Sequence, residues 1–255
     1  MKTGKKKCLQ KLSDQNFFMQ TKIQRASERG NANFGWLKSN HSFSFGHFYD
    51  ATKMNFGALR VLNDDVVTGG QGFGSHGHDN MEIISIPLKG ALAHKDSTGT
   101  DGIIKTGDVQ IMSAGAGIKH SEYNASETDE VNFLQIWVTP KEQNIKPRYE
   151  QKTFDVADRK NKWQRVVSPD EKDGGVWVNQ DAVFSLAHGE KGSTLIYKNK
   201  FSGNGIYLFV IEGEVEVNGE SLHKRDAIEI SEADEFEIKI NAAADLLAIE
   251  VPMLQ

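Results

Sequence analysis

Short apolar runs, separated by clusters of glycine, asparagine and aspartate, recur along the whole of this sequence. Runs of roughly four to eight residues that are rich in β-branched side chains are typical of β-strands. No segment shows the long amphipathic pattern of a helix. The sequence therefore predicts an all-β fold, with strands over residues 81–88, 109–112, 131–138, 206–211, 227–230, 236–240 and 246–251.

An internal repeat divides the sequence into two halves. The segment around Gly90 matches the segment around Gly213, and the run that starts at Gly107 matches the run that starts at Arg225. Repeats of this length indicate two copies of one β-barrel unit. The polar stretch 140–158, which contains two prolines, is the expected connection between the halves.

Two histidine-containing segments indicate a metal site. His76 and His78 are two residues apart, as are His120 and Glu122. In an extended strand such pairs point to one face, so two facing strands would bring together three imidazoles and one carboxylate. The glycine-punctuated run that begins at Gly70 favours backbone bends over a helix. The alternative is that these histidines are ordinary surface or core residues.

The spacing G-x5-H-x-H-x3-E, from Gly70 to Glu82, resembles the first cupin motif. The segment from Gly107 resembles the second, with Ser113 where proline is usual, His120 two places late and Glu122 after it. These departures are similar to those of the pirin family. From Ile23 to the C-terminus the chain most resembles bacterial pirin-like quercetinases. Further matching segments begin at Arg25, His41, Leu59, Gln71, Gln135 and Pro147.

The resemblance implies two cupin (jelly-roll) β-barrels in tandem, a bicupin. We expect a mobile N-terminal extension over residues 1–22, a metal-binding cupin domain over 23–145, and a linker with a second cupin domain over 146–255. The second domain is expected to lack metal ligands. Carrying the offsets across without gaps places apolar or amide side chains at the four ligand positions: Asn199, Phe201, Ile238 and Ile240.

In pirins the residues that match His76, His78, His120 and Glu122 bind one metal ion. Such a donor set suits a divalent transition metal, and does not choose among Fe, Mn, Co, Ni, Cu and Zn. Glu82 is expected to support the ligands from behind, with direct ligation as the alternative. Phe73 matches a phenylalanine that lines the substrate pocket of pirins; a core aromatic is the alternative.

The remaining histidines are predicted to be structural. His94, His188 and His223 have no histidine two residues away and are expected at the surface or in turns. His41 and His47 lie among phenylalanines, which favours packing over ligation.

Composition excludes several functional classes. The net charge is −5, so the chain has no global attraction for nucleic acid, and the basic run Lys2–Lys7 is interpreted as a solvated end. No apolar stretch is long enough to span a membrane. Cys8 is the only cysteine, which rules out an internal disulfide and favours a reducing compartment. We expect a cytoplasmic monomer.

The resemblance implies a dioxygenase that cleaves a flavonol such as quercetin with O2 and releases carbon monoxide and a depside. Glu122 is the candidate base for the flavonol 3-hydroxyl. The alternative hypothesis is a non-enzymatic, metal-dependent and redox-sensing regulator that binds a protein partner, as pirin does.

Overall fold

The structure, a computed structural model, describes residues 19–253. The first half of this range contains twelve strands: β1 Gln20–Gln24, β2 Gly30–Asn33, β3 Leu37–His41, β4 Leu59–Val67, β5 Gly72–His78, β6 Glu82–Lys89, β7 Ala91–Asp96, β8 Asp101–Lys105, β9 Asp108–Ser113, β10 Ile118–Asn124, β11 Val131–Val138 and β12 Arg148–Thr153.

The second half contains eight strands: β13 Gln164–Ser168, β14 Val176–Trp177, β15 Val183–Gly189, β16 Thr194–Lys198, β17 Asn204–Val217, β18 Glu220–His223, β19 Ala227–Ser231 and β20 Glu235–Pro252. The helices among the described residues are short 3-10 turns at Ala26–Glu28, Val156–Arg159 and Glu171–Asp173. None of these turns has the length and apolar character that a membrane span requires. The predicted all-β fold is confirmed.

The first barrel is made of two sheets that pack face to face. One sheet has the strand order β12-β9-β6-β11-β4-β3-β2, and the other has the order β5-β10-β7-β8. Apolar side chains from both sheets meet between them, among them Leu92, Ile104 and Phe133. The two histidine segments are β5 and β10, which are neighbours in the second of these sheets.

The second barrel is built around two long strands, β17 and β20, in a sheet of order β1-β19-β17-β20-β15-β13-β14. Strand β20 contains both of the predicted strands 236–240 and 246–251 in one continuous element. Its pairing with β17 shifts register near Glu212, at bulges that let both strands bend around the barrel. The prediction of two separate strands was wrong because a bend through bulges has the same sequence pattern as a turn.

The two barrels pack against each other through the outer faces of their sheets. Ile84 and Ile86 of β6 belong to the largest core cluster, together with Phe184 and Phe209 of the second barrel. The alternate residues of β6 face the interior of the first barrel. Both faces of β6 are therefore buried, which explains why its sequence is almost continuously apolar instead of alternating.

Two predicted boundaries differ from the structure. Residues Gln20–Lys22, placed in the expected extension 1–22, belong to β1, which pairs with β19 of the second barrel. The predicted connection also contains a strand, since β12 adds to the first barrel beside β9. The rest of the expected extension, residues 1–18 with the basic run and Cys8, lies outside the described residues.

The second barrel carries aromatic and apolar side chains where the first carries histidines and glutamate. We aligned the barrels at Gly90 and Gly213 and then followed the pairing of neighbouring strands in each barrel. Tyr197, Phe236 and Ile238 occupy the positions that His76, His120 and Glu122 occupy in the first barrel. Tyr197 and Phe236 stack with ring centroids 5.8 Å apart. The gap-free offsets that gave Phe201 and Ile240 were therefore wrong by two residues.

Candidate metal centre

A β-bulge in β5 points the predicted residues to one face. In the antiparallel pair of β5 and β10, His76 lies opposite His120, and Phe73 lies opposite Glu122. Three steps along β5 therefore face two steps along β10, and the register shifts there. Because residues directly opposite each other share a face, the bulge turns Phe73 and His76 to the same side although their spacing is odd.

The three predicted histidines converge on one point. Ring centroids are 4.4 Å apart for His76 and His120, 5.0 Å for His78 and His120, and 4.9 Å for His76 and His78. One ring nitrogen from each lies within 4.8 Å of the others. The two segments therefore meet as the i, i+2 spacing predicted.

The imidazoles of the cluster are oriented for metal binding. Nδ1 of His76 lies 2.8 Å from the carbonyl oxygen of Gly74, which can only accept, so Nδ1 carries a proton and Nε2 is the nitrogen available to an ion. Burial, with the neighbouring histidines, lowers the pKa of His78 to about 4 and that of His120 to about 3. At neutral pH the rings of His78 and His120 are therefore uncharged, and each has one nitrogen with a lone pair that an ion can bind.

His120 shows most directly that the site fits an ion. Its side chain is 2% exposed, and neither Nδ1 nor Nε2 has a hydrogen-bond partner among the described residues. Buried polar atoms without partners are uncommon and costly. A divalent ion would bind the ring nitrogen of His120 that has a lone pair, so the donor set fits the metal that the motif predicts.

Glu122 lies in the interior beside this cluster. Ser85 Oγ donates to its Oε1 at 3.0 Å, and Gln135 Nε2 donates to its Oε2 at 2.7 Å. Burial raises the pKa of Glu122, and His94 and these two hydrogen bonds oppose that rise. A carboxylate oxygen of Glu122 lies within 4.8 Å of nitrogens of His94 and His120. Two groups of donors therefore share His120: one contains His76 and His78, and the other contains His94 and Glu122.

His94 is a buried member of the centre, and its predicted surface position was wrong. The residue is 1% exposed, its ring lies 5.4 Å from that of His120, and its Nε2 lies 3.0 Å from Asp96 Oδ2. The signal in the sequence was the pair His94 and Asp96, two residues apart on one strand. It was missed because the second member is an acid instead of a histidine.

The other histidines lie largely as predicted. His188 is half-buried and contacts Asp245 at 2.9 Å, and His223 is exposed. His41 is buried and packs edge-on against Phe45, with ring centroids 5.4 Å apart, whereas His47 is exposed. Packing is therefore confirmed for His41 and not for His47.

Glu82 does not support the cluster, and this expectation was wrong. Its spacing of three residues from Ser85 places it on the opposite face of β6. There, fully buried, its Oε2 accepts from Ser113 Oγ at 2.7 Å and from the backbone N–H of Asn179 at 3.2 Å. Because Asn179 belongs to the second barrel, Glu82 ties the two barrels together.

A cleft of about 690 Å³ opens beside His78. Its apolar walls are Met81, Ile118 and Trp137, and the Trp137 ring lies 4.9 Å from that of His78. This volume is within the range of about 300–1,000 Å³ that small-molecule sites occupy. Phe73 is not among the lining residues; it packs edge-on against Trp36, with ring centroids 5.3 Å apart.

A second buried acid lies in the interior of the first barrel. Asp65 is on β4, between Phe133 of β11 and Ser39 of β3, which lie opposite it on the two neighbouring strands. Burial, with the negative charges of Asp64 and Glu122, raises the pKa of Asp65 to about 7. The sequence did not indicate that Asp65 is buried, because aspartate in a strand is usually exposed.

Comparison with known proteins identifies the family. The sequence model of the Pirin family matches residues 21–138, and that of the quercetinase C-terminal cupin domain matches residues 165–251. The quercetin 2,3-dioxygenase of Escherichia coli K12 is 41% identical over 90% of this chain and 98% of its own length. This chain belongs to the pirin family. A pirin-like protein of Caulobacter vibrioides is 41% identical over 85% of this chain and 92% of its own.

The same pirin fold is known with a metal bound. The E. coli bacterial pirin YhhW in complex with nickel(II) superposes with a TM-score of 0.87 and 39% identity, over 92% of this chain and 100% of that chain. The pirin relatives confirm the predicted bicupin fold and enzyme class. The nickel complex and the histidine cluster confirm the predicted cofactor class, one divalent metal ion. The assignment of individual ligands remains a prediction.

Proposed function

We propose that this pirin is a metal-dependent dioxygenase that cleaves a flavonol such as quercetin with O2 and releases carbon monoxide and a depside. The observation that carries the proposal is the cluster of His76, His78 and His120 next to the buried carboxyl group of Glu122. A cleft of suitable size at His78 supports a small-molecule substrate. The names of the relatives support the flavonol class.

In this proposal, nitrogens of His76, His78 and His120 and an oxygen of Glu122 hold the ion. Four protein donors on an octahedral ion leave positions for substrate and O2, which is the property of a catalytic site as opposed to a structural one. When bound, the ion supplies Lewis-acid and redox chemistry for the reaction of the flavonol with O2.

Glu122 is the group we assign to proton transfer. Burial raises the pKa of its carboxyl, which makes the carboxylate a stronger base for the flavonol 3-hydroxyl. The hydrogen bonds from Ser85 and Gln135, at 3.0 and 2.7 Å, fix the orientation of both carboxylate oxygens. These two donors stabilise the ionised form until it accepts the proton.

The cleft walls would hold the aromatic rings of the substrate. Met81, Ile118 and Trp137 offer apolar surface beside His78, and their contact with the substrate would exclude water from the reaction. Phe73 faces inward opposite Glu122 and packs on Trp36, in a different apolar cluster from these walls, so its contact with the substrate remains a prediction.

The test is oxygen-dependent cleavage of quercetin by the purified full chain. The protein is stripped of metal and reloaded separately with Fe, Mn, Co, Ni, Cu and Zn. Quercetin absorbance, O2 uptake and CO release are then followed under air and under argon. We expect loss of quercetin with matching CO under air only, and only in the loaded protein. If no loaded form consumes O2 with any flavonol, the enzyme hypothesis fails and the regulator hypothesis takes its place.

A further inference from the structure

A second, fully buried pair of side chains lies directly behind the proposed centre. Strand β7 runs antiparallel to β10, with His94 opposite Glu122 and Asp96 opposite His120. The His94 and Asp96 side chains have no exposed surface, and Nε2 of His94 lies 3.0 Å from Oδ2 of Asp96. We propose that this pair is a positioning relay, Asp96 to His94 to His120, which fixes the tautomer and orientation of His120 as a metal ligand.

The direction of the first hydrogen bond determines what His94 presents to the centre. The Asp96 carboxylate can only accept, so Nε2 of a neutral His94 carries the proton. Its Nδ1 then has a lone pair, and this atom is buried with no partner among the described residues. His94 therefore presents an acceptor to the neighbouring strand.

The matching donor is on His120. In the proposed centre one ring nitrogen of His120 binds the ion, and the other carries a proton that needs an acceptor; ligating histidines almost always have such a partner. Both ring nitrogens of His120 are buried without a hydrogen-bond partner in the described part of the chain. The two rings are 5.4 Å apart between centroids, with a nitrogen of each within 4.8 Å. The hydrogen bond of the relay requires these two nitrogens to approach each other from that separation.

The orientation of Asp96 is itself fixed. Its other oxygen, Oδ1, accepts from the Thr98 backbone N–H at 2.8 Å, the Thr98 hydroxyl at 2.6 Å and the Thr100 backbone N–H at 3.3 Å. Three donors keep an acceptor at Oδ1. In the substitution Asp96→Asn the amide oxygen must stay there, so the NH2 group replaces Oδ2 and points at His94.

The substitution Asp96→Asn reverses the direction of the hydrogen bond between residue 96 and His94, and it keeps a side chain of the same size. With an amide donor facing Nε2, His94 must accept at Nε2 and carry its proton on Nδ1. Two N–H groups, one from His94 and one from His120, would then face each other. We expect weaker metal binding by about 10- to 100-fold, the effect typical of losing such an outer partner.

The first experiment reads the tautomers in the unmodified protein. ¹⁵N-labelled histidine rings are observed by NMR in the full chain loaded with diamagnetic Zn²⁺. We expect His94 with a protonated Nε2 and an unprotonated Nδ1, and His120 with one metal-bound and one protonated nitrogen. A His94 that is protonated at Nδ1, alone or at both nitrogens, would overturn the relay, since it would be a donor to Glu122 instead.

The second experiment measures Ni²⁺ affinity by calorimetric titration of the metal-free chain. Asp96→Asn tests the inversion, and His94→Phe keeps an aromatic ring while removing the acceptor. The matched control is Asp101→Asn, the same change on the adjacent strand at a side chain that is 75% exposed. We expect 10- to 100-fold losses in the first two variants and none in the control. Wild-type affinity in both Asp96→Asn and His94→Phe would overturn the relay.

This inference rests on the metal centre of the proposed function and not on its substrate. Neither ring tautomers nor Ni²⁺ affinity depends on quercetin. A protein that binds Ni²⁺ through the relay but never cleaves a flavonol would refute the substrate assignment alone. A wild-type chain that binds no Ni²⁺ would overturn the relay and the centre together.

Discussion

The guanidinium of Arg225 lies 2.8 Å from the carboxylate of Asp64, and this ion pair joins the second barrel to β4 of the first. Arg225 also donates to Asn132 Oδ1 at 3.1 Å and to the carbonyl oxygen of Ile211. Its φ is 67°, in the left-handed region that glycine favours. The repeat in the first barrel has Gly107 at this position. An arginine persists there because its contacts over-determine the conformation.

Replacing Arg225 should therefore destabilise the whole chain. Arg225→Asn keeps a residue that tolerates positive φ but removes the ion pair of the buried Asp64, which retains only the hydrogen bond from Asn132, and should lower the free energy of unfolding by about 3 kcal/mol. Urea unfolding measures the change. The control is Lys95→Asn, which breaks a pair with both side chains about three-quarters exposed, at 74% and 75%, and should cost at most about 1 kcal/mol. Equal losses in the two variants would show that the Arg225 pair has no special role.

Local patterns in the sequence were enough to predict the strands and the converging histidines. Alternation and β-branched content act over a few residues, so the existence of β6 and β11 followed from them. The i, i+2 pair of His76 and His78 followed from the same period. The bulge in β5 could not be predicted, because it depends on the pairing of two strands that are distant in sequence.

Burial of polar side chains was the part that sequence reasoning missed. His94, Asp96 and Asp65 are charged or polar residues in strands, and on local grounds each is expected in solvent. The burial of each depends on contacts between strands that are distant in sequence: β7 lies beside β10, and β4 lies beside β11. Glu82 was misplaced for the same reason, since its partner Asn179 comes from the other barrel.

Deleting a proposed ligand should remove the metal and leave the fold. We expect His120→Ala to lose most of its bound metal, because the site then lacks a central donor and His120 belongs to both donor groups. Elemental analysis of the purified variant measures the metal content. His223→Ala, at an exposed position in the second barrel, should keep the wild-type amount. Retention of full metal content by His120→Ala would exclude it as a ligand.

Removing the proposed base should separate turnover from metal binding. Glu122→Gln retains a ligating oxygen and can still pair with Gln135 and Ser85, but it cannot take a proton. We expect metal content near that of wild type and a decrease in kcat of about 10² or more. Steady-state quercetin cleavage, corrected for bound metal, measures it. A variant with near-normal turnover would mean that the proton goes elsewhere.

The raised pKa of Asp65 predicts how stability changes with pH. The pKa of Asp65 is about 7 in the folded state and 3.8 in an unstructured chain, so the native metal-free protein binds one more proton than the unfolded chain between these values. Its stability should therefore decrease as pH rises from about 4 to 7. Asp65→Asn should remove this loss and raise the free energy of unfolding at pH 8 by about 2–4 kcal/mol, with little change at pH 4. Asp101→Asn is the exposed control, and a parallel shift in both variants would refute the assignment.

The glycines of β5 should differ sharply in their tolerance of a methyl group. A Cβ on Gly72 would lie 2.4 Å from the carbonyl oxygen of Glu122, so Gly72→Ala must push β5 away from β10. A Cβ on Gly77, between His76 and His78, would meet nothing closer than 3.8 Å.

We expect Gly72→Ala to cost about 1–3 kcal/mol of stability and to weaken Ni²⁺ binding, because the bulge that aligns the histidines is displaced. Gly77→Ala should change stability by at most about 0.5 kcal/mol. Denaturant unfolding and Ni²⁺ titration of both variants measure these effects. If Gly72→Ala has the same stability and the same Ni²⁺ affinity as Gly77→Ala, close contact between β5 and β10 does not shape the centre.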